Sequence, residues 1–394
     1  MELLELMARA PGAPAVLDAL GDEPGVHVVG GAVRDALLGA VPRELDVVVE
    51  GDAAPVARRA AERLGGDVIV HERFGTAAVR AEAATFDVVS ARTETYAHPG
   101  ALPDVTPGAS IEQDLARRDF TVNAIALRLA DGALIEWPGA REDLGAGVLR
   151  VLHERSFEDD PTRLLRMARY GARLGFEPDP GTDALAAAAT VETVSGGRLG
   201  AELRLLLREP QPTALCALER FALGRAVVHP SFHADAGRIE RVRALCPPDA
   251  RADLAALAST LTNADASSLR GALDRLEFDA GSRGIVLRAA GAATLAGELR
   301  AAGDDAALWR AARRAPPEAV AVAGALGAEE AARRWLGDVR HRRLAITGDD
   351  FVAAGLTGPA VGDALEAAQL AALAGEAPGA EEQLAAGLAA VGPS

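Results

Sequence analysis

One stretch limits the possible folds of this chain more than any other. It is Gly30-Gly31-Ala32-Val33-Arg34-Asp35-Ala36-Leu37-Leu38-Gly39, followed by Glu44-Leu45-Asp46-Val47-Val48-Val49. The apolar run before it (Val26, Val28, Val29) predicts a buried strand. Two glycines then let the backbone turn and come close to a ligand. A helix is expected next, with Val33, Leu37 and Leu38 on one face. Arg34 lies near its N-terminal end, where free N–H groups and the helix dipole attract phosphate. A second strand is expected to carry Glu44 and Asp46, which alternation places on the same side. Two adjacent carboxylates repel each other unless a cation lies between them. Beside a phosphate-binding turn the natural cation is Mg²⁺, and the natural chemistry is two-metal phosphoryl or nucleotidyl transfer. An ordinary Gly-Gly turn and a strand with its acids facing water fit the same residues, so the pair alone leaves both readings open.

Composition narrows the classes. At 394 residues the chain is too long for one ordinary domain, and 49% hydrophobic with 25% charged residues is the balance of a globular protein. The apolar runs are short and broken by Arg, Asp and Glu, so no membrane span is expected. Residues 1–10 carry Glu2 and Glu5 and lack a basic segment, so no signal peptide is expected either. Cys216 and Cys246 are the only cysteines, too few for a disulfide framework or a four-cysteine zinc site; reduced thiols in the cytoplasm are the default. A net charge of −16 argues against bulk electrostatic binding of nucleic acid but leaves room for a local basic groove. The chain contains no Lys, so a Walker-type site is excluded and phosphates must be met by Arg, whose fork suits them.

Residues 26 to about 137 alternate strand-like and helix-like patterns. A helix is expected at Ala53–Leu64 and strands at Asp67–Val70, Thr76–Val79, Phe86–Ser90 and Leu134–Trp137. Tyr96 to Gly108, with its Pro and Gly residues, reads as a loop, and a helix is expected from Ile111. From about Phe157 helical periodicity takes over, with apolar positions at Leu164, Leu165, Ala168, Ala172 and Leu174, and continues to a frayed end at Gly392–Ser394. The chain thus reads as α+β: a head with a small mixed sheet on an all-helical remainder.

Two further segments carry candidate chemistry. In Arg117-Arg118-Asp119-Phe120-Thr121-Val122-Asn123-Ala124, arginines suit triphosphate oxygens, Asp119 ribose hydroxyls and Asn123 orientation; a charged helix terminus is the plain alternative. In Glu158-Asp159-Asp160-Pro161-Thr162-Arg163-Leu164-Leu165-Arg166, Asp160 and Arg163 share a helix face. They suit a helix cap with an ion pair, Pro161 standing at the first helical position. A carboxylate that accepts and a guanidinium that donates also suit the edge of a base. His153 reads as structural, and Asp87 as a solvated strand position or a third metal ligand.

These segments, in this order, resemble the class II tRNA nucleotidyltransferase and bacterial poly(A) polymerase family of the polymerase-β-like superfamily. The family patterns are G-G-x-V-R-D-x-L-L-G then D-x-D, R-R-D-x-T-x-N-A, and [ED]-D-x-x-R-x-x-R. Asp143-Leu144 to Arg150-Val151 and Arg198-Leu199-Gly200-Ala201-Glu202-Leu203 match two more. The likeness is close from about residue 26 to 207 and weaker at Ile346–Asp350 to Gly358-Pro359. One position departs: Glu44 stands where the family usually has Asp, one methylene longer, so its oxygens move by about 1 Å; activity is expected to survive.

The resemblance implies roles. Glu44 and Asp46 would hold two Mg²⁺ ions. Gly30, Gly31 and Arg34 would receive the triphosphate, with added charge from Arg118 and Arg166. Asp119 would contact the ribose, with Asn123 orienting, and Asp160 and Arg163 would pair with the incoming base in place of a nucleic-acid template. It implies a nucleotidyltransferase head over 1–150, a helical neck with the base-recognition motif over 151–215, and a helical, RNA-binding body and tail over 216–394. Arg340, Arg342 and Arg343 are candidates for phosphate contacts there. The implied activity is template-independent addition of C, A or both to a tRNA 3′ end from CTP and ATP. A poly(A) polymerase or an enzyme adding only CC or only A would share the head. A non-catalytic RNA-binding module is the competing reading. Glu44 alone favours it, and the intact Asp46, Arg118, Asp119, Asp160 and Arg163 oppose it.

Overall fold

The computed structural model describes residues 2–71 and 75–392; Met1, Pro393 and Ser394 of the expected termini lie outside them. The chain divides into two compact units, Met1–Ser195 and Gly196–Ser394, so the division falls inside the 151–215 segment.

The first unit runs α1 (Glu2–Met7), α2 (Ala13–Leu20), β1 (Val26–Val29), α3 (Gly31–Leu37), β2 (Asp46–Val49), α4 (Ala53–Leu64), β3 (Asp67–His71), β4 (Thr76–Arg80), β5 (Thr85–Ser90), β6 (Arg92–Thr95), β7 (Asp104–Pro107), α5 (Ile111–Ala116), β8 (Ile125–Arg128), β9 (Leu134–Glu136), α6 (Ala140–Ala146), α7 (Ser156–Asp159), α8 (Arg163–Leu174) and α9 (Pro180–Ala188). Seven strands form one mixed sheet in the order β3-β4-β5-β2-β1-β8-β9, in which β2 and β5 are parallel and the other neighbours antiparallel. β1 lies inside this sheet and is buried at all four positions; its polar residue, His27, has Nε2 3.4 Å from Glu50 Oε2. Helix α4 has clear punctuation: the Asp52 side chain accepts the Ala54 N–H at 3.0 Å, and Gly65 at φ +66° ends it. Val56, Ala57, Ala60 and Ala61 form its buried face.

Four local expectations change. Glu44 is not on the second strand; β2 begins at Asp46, and Glu44 lies in the bend after Pro42. Leu38 does not join Val33 in the core. α3 ends at Leu37, Gly39 turns the chain at φ +77°, and Leu38 is left 44% exposed. The Tyr96–Gly108 segment is not all loop, because Asp104–Pro107 pairs antiparallel with Arg92–Thr95 as a second small sheet. β8 was not expected. It sits between β1 and β9 and is buried at three of four positions, so it lacks the alternation that marks a strand.

The second unit is helical. Its helix Ala252–Ser259 is buried from Leu254 onward, almost wholly apolar there, and the one buried hydroxyl, Ser259, donates to the Ala256 carbonyl at 2.7 Å. Gly348–Ala353, Pro359–Ala374 and Ala380–Val391 close around Phe351, which is fully buried with Ile346, Leu356, Ala364 and Ala368. Gly387 is required there, since a Cβ would lie 2.3 Å from the Phe351 ring. No helix among the described residues is long and apolar enough to cross a membrane.

Candidate active site

The sheet places its functional side chains at the end of β2. Glu44, Asp46 and Asp87 line a cleft of about 480 Å³ together with Arg92, Arg117 and Arg118. The parallel register of β2 and β5 pairs Val47 with Val88, so Asp46 and Asp87 stand side by side at the next step. Desolvation by the surrounding protein and the charge of Glu44 push the Asp46 carboxyl up, against the pull of Arg118, Arg166 and Arg34. Among the described residues no group of three or more His, Cys, Asp or Glu side chains already stands as a metal-binding cluster. The donor set is nevertheless hard and anionic. Two acids, one raising the other, create a demand for positive charge that a hard divalent cation meets. Glu44 and Asp46 therefore fit Mg²⁺.

Arg118 faces those acids. Its Nη2 donates to Asp114 Oδ2 at 2.9 Å, while its buried Nε has no hydrogen-bond partner. Gly30, at φ +66° and ψ −126°, makes its approach possible, because a Cβ there would sit 2.8 Å from Arg118 Nη1. The Gly30 N–H is spent on Ile125 O at 2.9 Å, which ties the turn to β8. Gly31 is the first residue of α3, and a Cβ on it would be 3.5 Å from Arg34 Nη2.

Arg34, Asn123, Asp119 and Arg166 join in one hydrogen-bonded chain. Arg34 is 1% exposed; it donates to Asp35 Oδ1 at 2.9 and 2.6 Å and to Asn123 Oδ1 at 2.5 Å. Asn123 Nδ2 donates to Asp119 Oδ1 at 2.9 Å, and Arg166 Nε to Asp119 Oδ2 at 2.8 Å. Burial pushes Asp119 up, but Arg166, Asn123 and Arg163 overcome it and hold the carboxyl well below the usual range. Tyr170 lies under the guanidiniums of Arg34, Arg166 and Arg169 at 5.3, 5.5 and 4.7 Å, and its hydroxyl accepts from Arg166. This chain concentrates positive charge beside the cleft, close enough for Arg34 and Arg166 to act on Asp46.

Asp160 and Arg163 bracket the start of α8. Asp160 Oδ1 accepts from the Thr162 N–H and hydroxyl at 3.1 and 2.7 Å, so it does cap the turn there. Arg163 is buried and bonds to Ser156 Oγ and to the carbonyl of Arg117.

Several residues were not singled out from sequence. Asp114, fully buried, holds both Arg117 Nη2 at 2.8 Å and Arg118 Nη2 at 2.9 Å. Its i+3 and i+4 spacing to the two arginines is a helical ion-pair signal that was there to find. Glu94 accepts from Arg92 and Arg117 and from the Tyr96 hydroxyl; it depends on the unexpected β6–β7 pairing. In the second unit, Arg340 is paired with Asp249, and Arg342 with Asp305 and Asp338. Two of the three candidate phosphate contacts are thus already neutralised.

Residues 26–150 match the Poly A polymerase head domain. The A-adding tRNA nucleotidyltransferase of Halalkalibacterium halodurans is 44% identical over an alignment of 199 positions that covers 48% of this chain and 46% of that protein. Across this and three other A-adding or CC-adding relatives, the chain spans 24–52% of their length. The Multifunctional CCA protein of Xanthomonas campestris pv. campestris is 32% identical over an alignment covering 89% of this chain and 98% of that protein. The Thermotoga maritima CCA-adding enzyme complexed with tRNA_CCA superposes with a TM-score of 0.79 at 26% identity, covering 100% of this chain and 99% of that one. With a near-full-length relative and a head match over the cleft and its arginines, this chain belongs to the tRNA nucleotidyltransferase and poly(A) polymerase family.

Proposed function

We propose that the chain adds C, A or both to the 3′ end of tRNA, taking CTP and ATP as substrates. The observation that carries this is one cleft lined by Glu44 and Asp46 together with Arg118, whose guanidinium is held in place by the buried Asp114. Acids to hold metal and a fixed cation to hold triphosphate are the two requirements of nucleotidyl transfer.

In this reading Glu44 and Asp46 hold two Mg²⁺ ions, whose contribution when bound is to acidify the RNA 3′-hydroxyl and screen the triphosphate. Gly30 and Gly31 leave the turn bare so that phosphates approach it. Arg118 binds them directly, while Arg34 and Arg166 add charge from behind. Asp119 and Asn123 set the ribose side, with Asp119 holding Arg166 in place. Asp160 and Arg163 read the base. The head is residues 1–150, the neck 151–215, and the body and tail, 216–394, hold RNA. In this reading the protein acts in the cytoplasm.

The test is direct. The protein is incubated with tRNA transcripts ending before CCA, at CC and at CCA, each NTP is supplied singly with Mg²⁺, and the 3′ ends are sequenced. Addition of C then A supports a complete CCA enzyme; addition of one kind alone defines a partial enzyme; long A tails on the CCA transcript define a poly(A) polymerase. No incorporation on any transcript refutes nucleotidyl transfer.

A further inference from the structure

The side chain assigned to base reading is held from two directions. Arg163 is 4% exposed; its Nη1 donates to Ser156 Oγ at 2.6 Å and its Nη2 to the Arg117 carbonyl at 2.7 Å. A guanidinium is a rigid planar fork, so two bonds from different nitrogens to acceptors on different segments fix the plane, where one bond leaves it free to swing. The Arg117 acceptor is itself anchored. Its side chain donates to Asp114 at 2.8 Å and to Glu94 at 2.9 Å. The Ser156 acceptor is the first residue of α7, fully buried, with its N–H bonded to His153 O at 3.1 Å.

We propose that Ser156 is a positioning residue for base selection. Its hydroxyl sets the plane of the Arg163 guanidinium and so decides which N–H donors face the incoming base. The proposal rests on the nucleotidyl-transfer reading and deepens it. Ser156 contacts no substrate and acts through Arg163. Because the second acceptor is the backbone of Arg117, and Asp114 joins Arg117 to Arg118, the base reader and the triphosphate side share one frame. A base that fits the fixed donors is taken; without the hydroxyl the fork rotates about its one remaining bond and accommodates others.

The experiment compares wild type, Ser156→Ala, Arg163→Ala and the double variant on tRNA transcripts ending before CCA and at CC, with all four NTPs in competition. Discrimination is the kcat/KM ratio of the nucleotide wild type prefers against UTP. Ser156→Ala is expected to lower that ratio about tenfold, the loss of one hydrogen bond to a charged group. On the Arg163→Ala background the same change is expected to add nothing, because a residue acting only through Arg163 has nothing left to position. A merely structural Ser156 would lower the double variant further. Ser156→Cys keeps the shape of the side chain with a slightly larger atom, weakens the acceptor and carries the same expectation if the Ala variant does not fold. Wild-type discrimination in Ser156→Ala or Ser156→Cys, or a further loss in the double variant, overturns the proposal while leaving nucleotidyl transfer intact. A wild-type chain that incorporates no nucleotide removes both.

Discussion

Asp114→Asn tests whether the arginine pair is held by charge. Asp114 is fully buried between the side chains of Arg117 and Arg118, which are 19% and 16% exposed. Asn keeps the volume and an acceptor for the Arg92 N–H, which Asp114 meets at 3.3 Å, so mainly the charge is lost. Removing one partner of a buried pair costs about 3–5 kcal/mol. Arg117 keeps a second acid, Glu94 at 2.9 Å, so the low end, about 3 kcal/mol, is expected. The pH dependence adds a check. Burial pushes the Asp114 carboxyl up, but Arg118 and Arg117 outweigh it and hold it below its ordinary value. The stabilisation from the charged form is therefore present above the unfolded value of about 3.9 and is lost as pH falls through the folded one. Urea denaturation followed by tryptophan fluorescence should show the full gap at pH 7 and a narrower one at pH 3. With Arg118 freed, KM for NTP should rise about tenfold, the loss of one charged hydrogen bond. A variant as stable as wild type at pH 7, or a gap unchanged at pH 3, refutes the reasoning.

Three further outcomes follow from the same structure. Asp46→Ala should abolish incorporation, whereas Glu44→Asp should retain it; turnover by Asp46→Ala at the wild-type rate, measured with labelled NTP, removes the two-metal mechanism. Burial pushes buried His27 down more strongly than Glu50 raises it, so the folded chain gives up the ring proton at a pH where the unfolded chain, titrating near pH 6.5, still holds it. Stability is intact above that pH and falls as pH drops below it, and His27→Leu should flatten the urea midpoint between pH 7 and pH 5. Gly387→Ala would drive a Cβ to 2.3 Å from the Phe351 ring and 2.7 Å from the Ala364 carbonyl, costing about 1–3 kcal/mol; an unchanged melting temperature would contradict that packing.

Much of this protein is determined by short-range chemistry alone. β1 and the Gly-Gly turn, the capped helix Ala53–Leu64 and the apolar stripe of α8 follow from local pattern, and so does the grouping of acids and arginines into three motifs. Those properties are encoded within a few residues of one another, where alternation, helical period and turn chemistry act. Tertiary structure decided the rest. Whether Glu44 lies on a strand depends on where pairing with Val26–Val29 begins, and that pairing starts at Asp46. β8 is a strand because β1 and β9 flank it, and Asp104–Pro107 is one because Arg92–Thr95 offers it an edge. Local sequence marks Arg34, Arg118, Arg163 and Arg166 equally as cations. Only folding separates them, burying Arg34 against Asp35 and Asn123, locking Arg163 on Ser156 and the Arg117 carbonyl, and setting Arg118 on Asp114 at the wall of the cleft. The physical reason is that a guanidinium's role is set by which acceptors reach it, and those acceptors come from segments as far as 89 residues away along the chain.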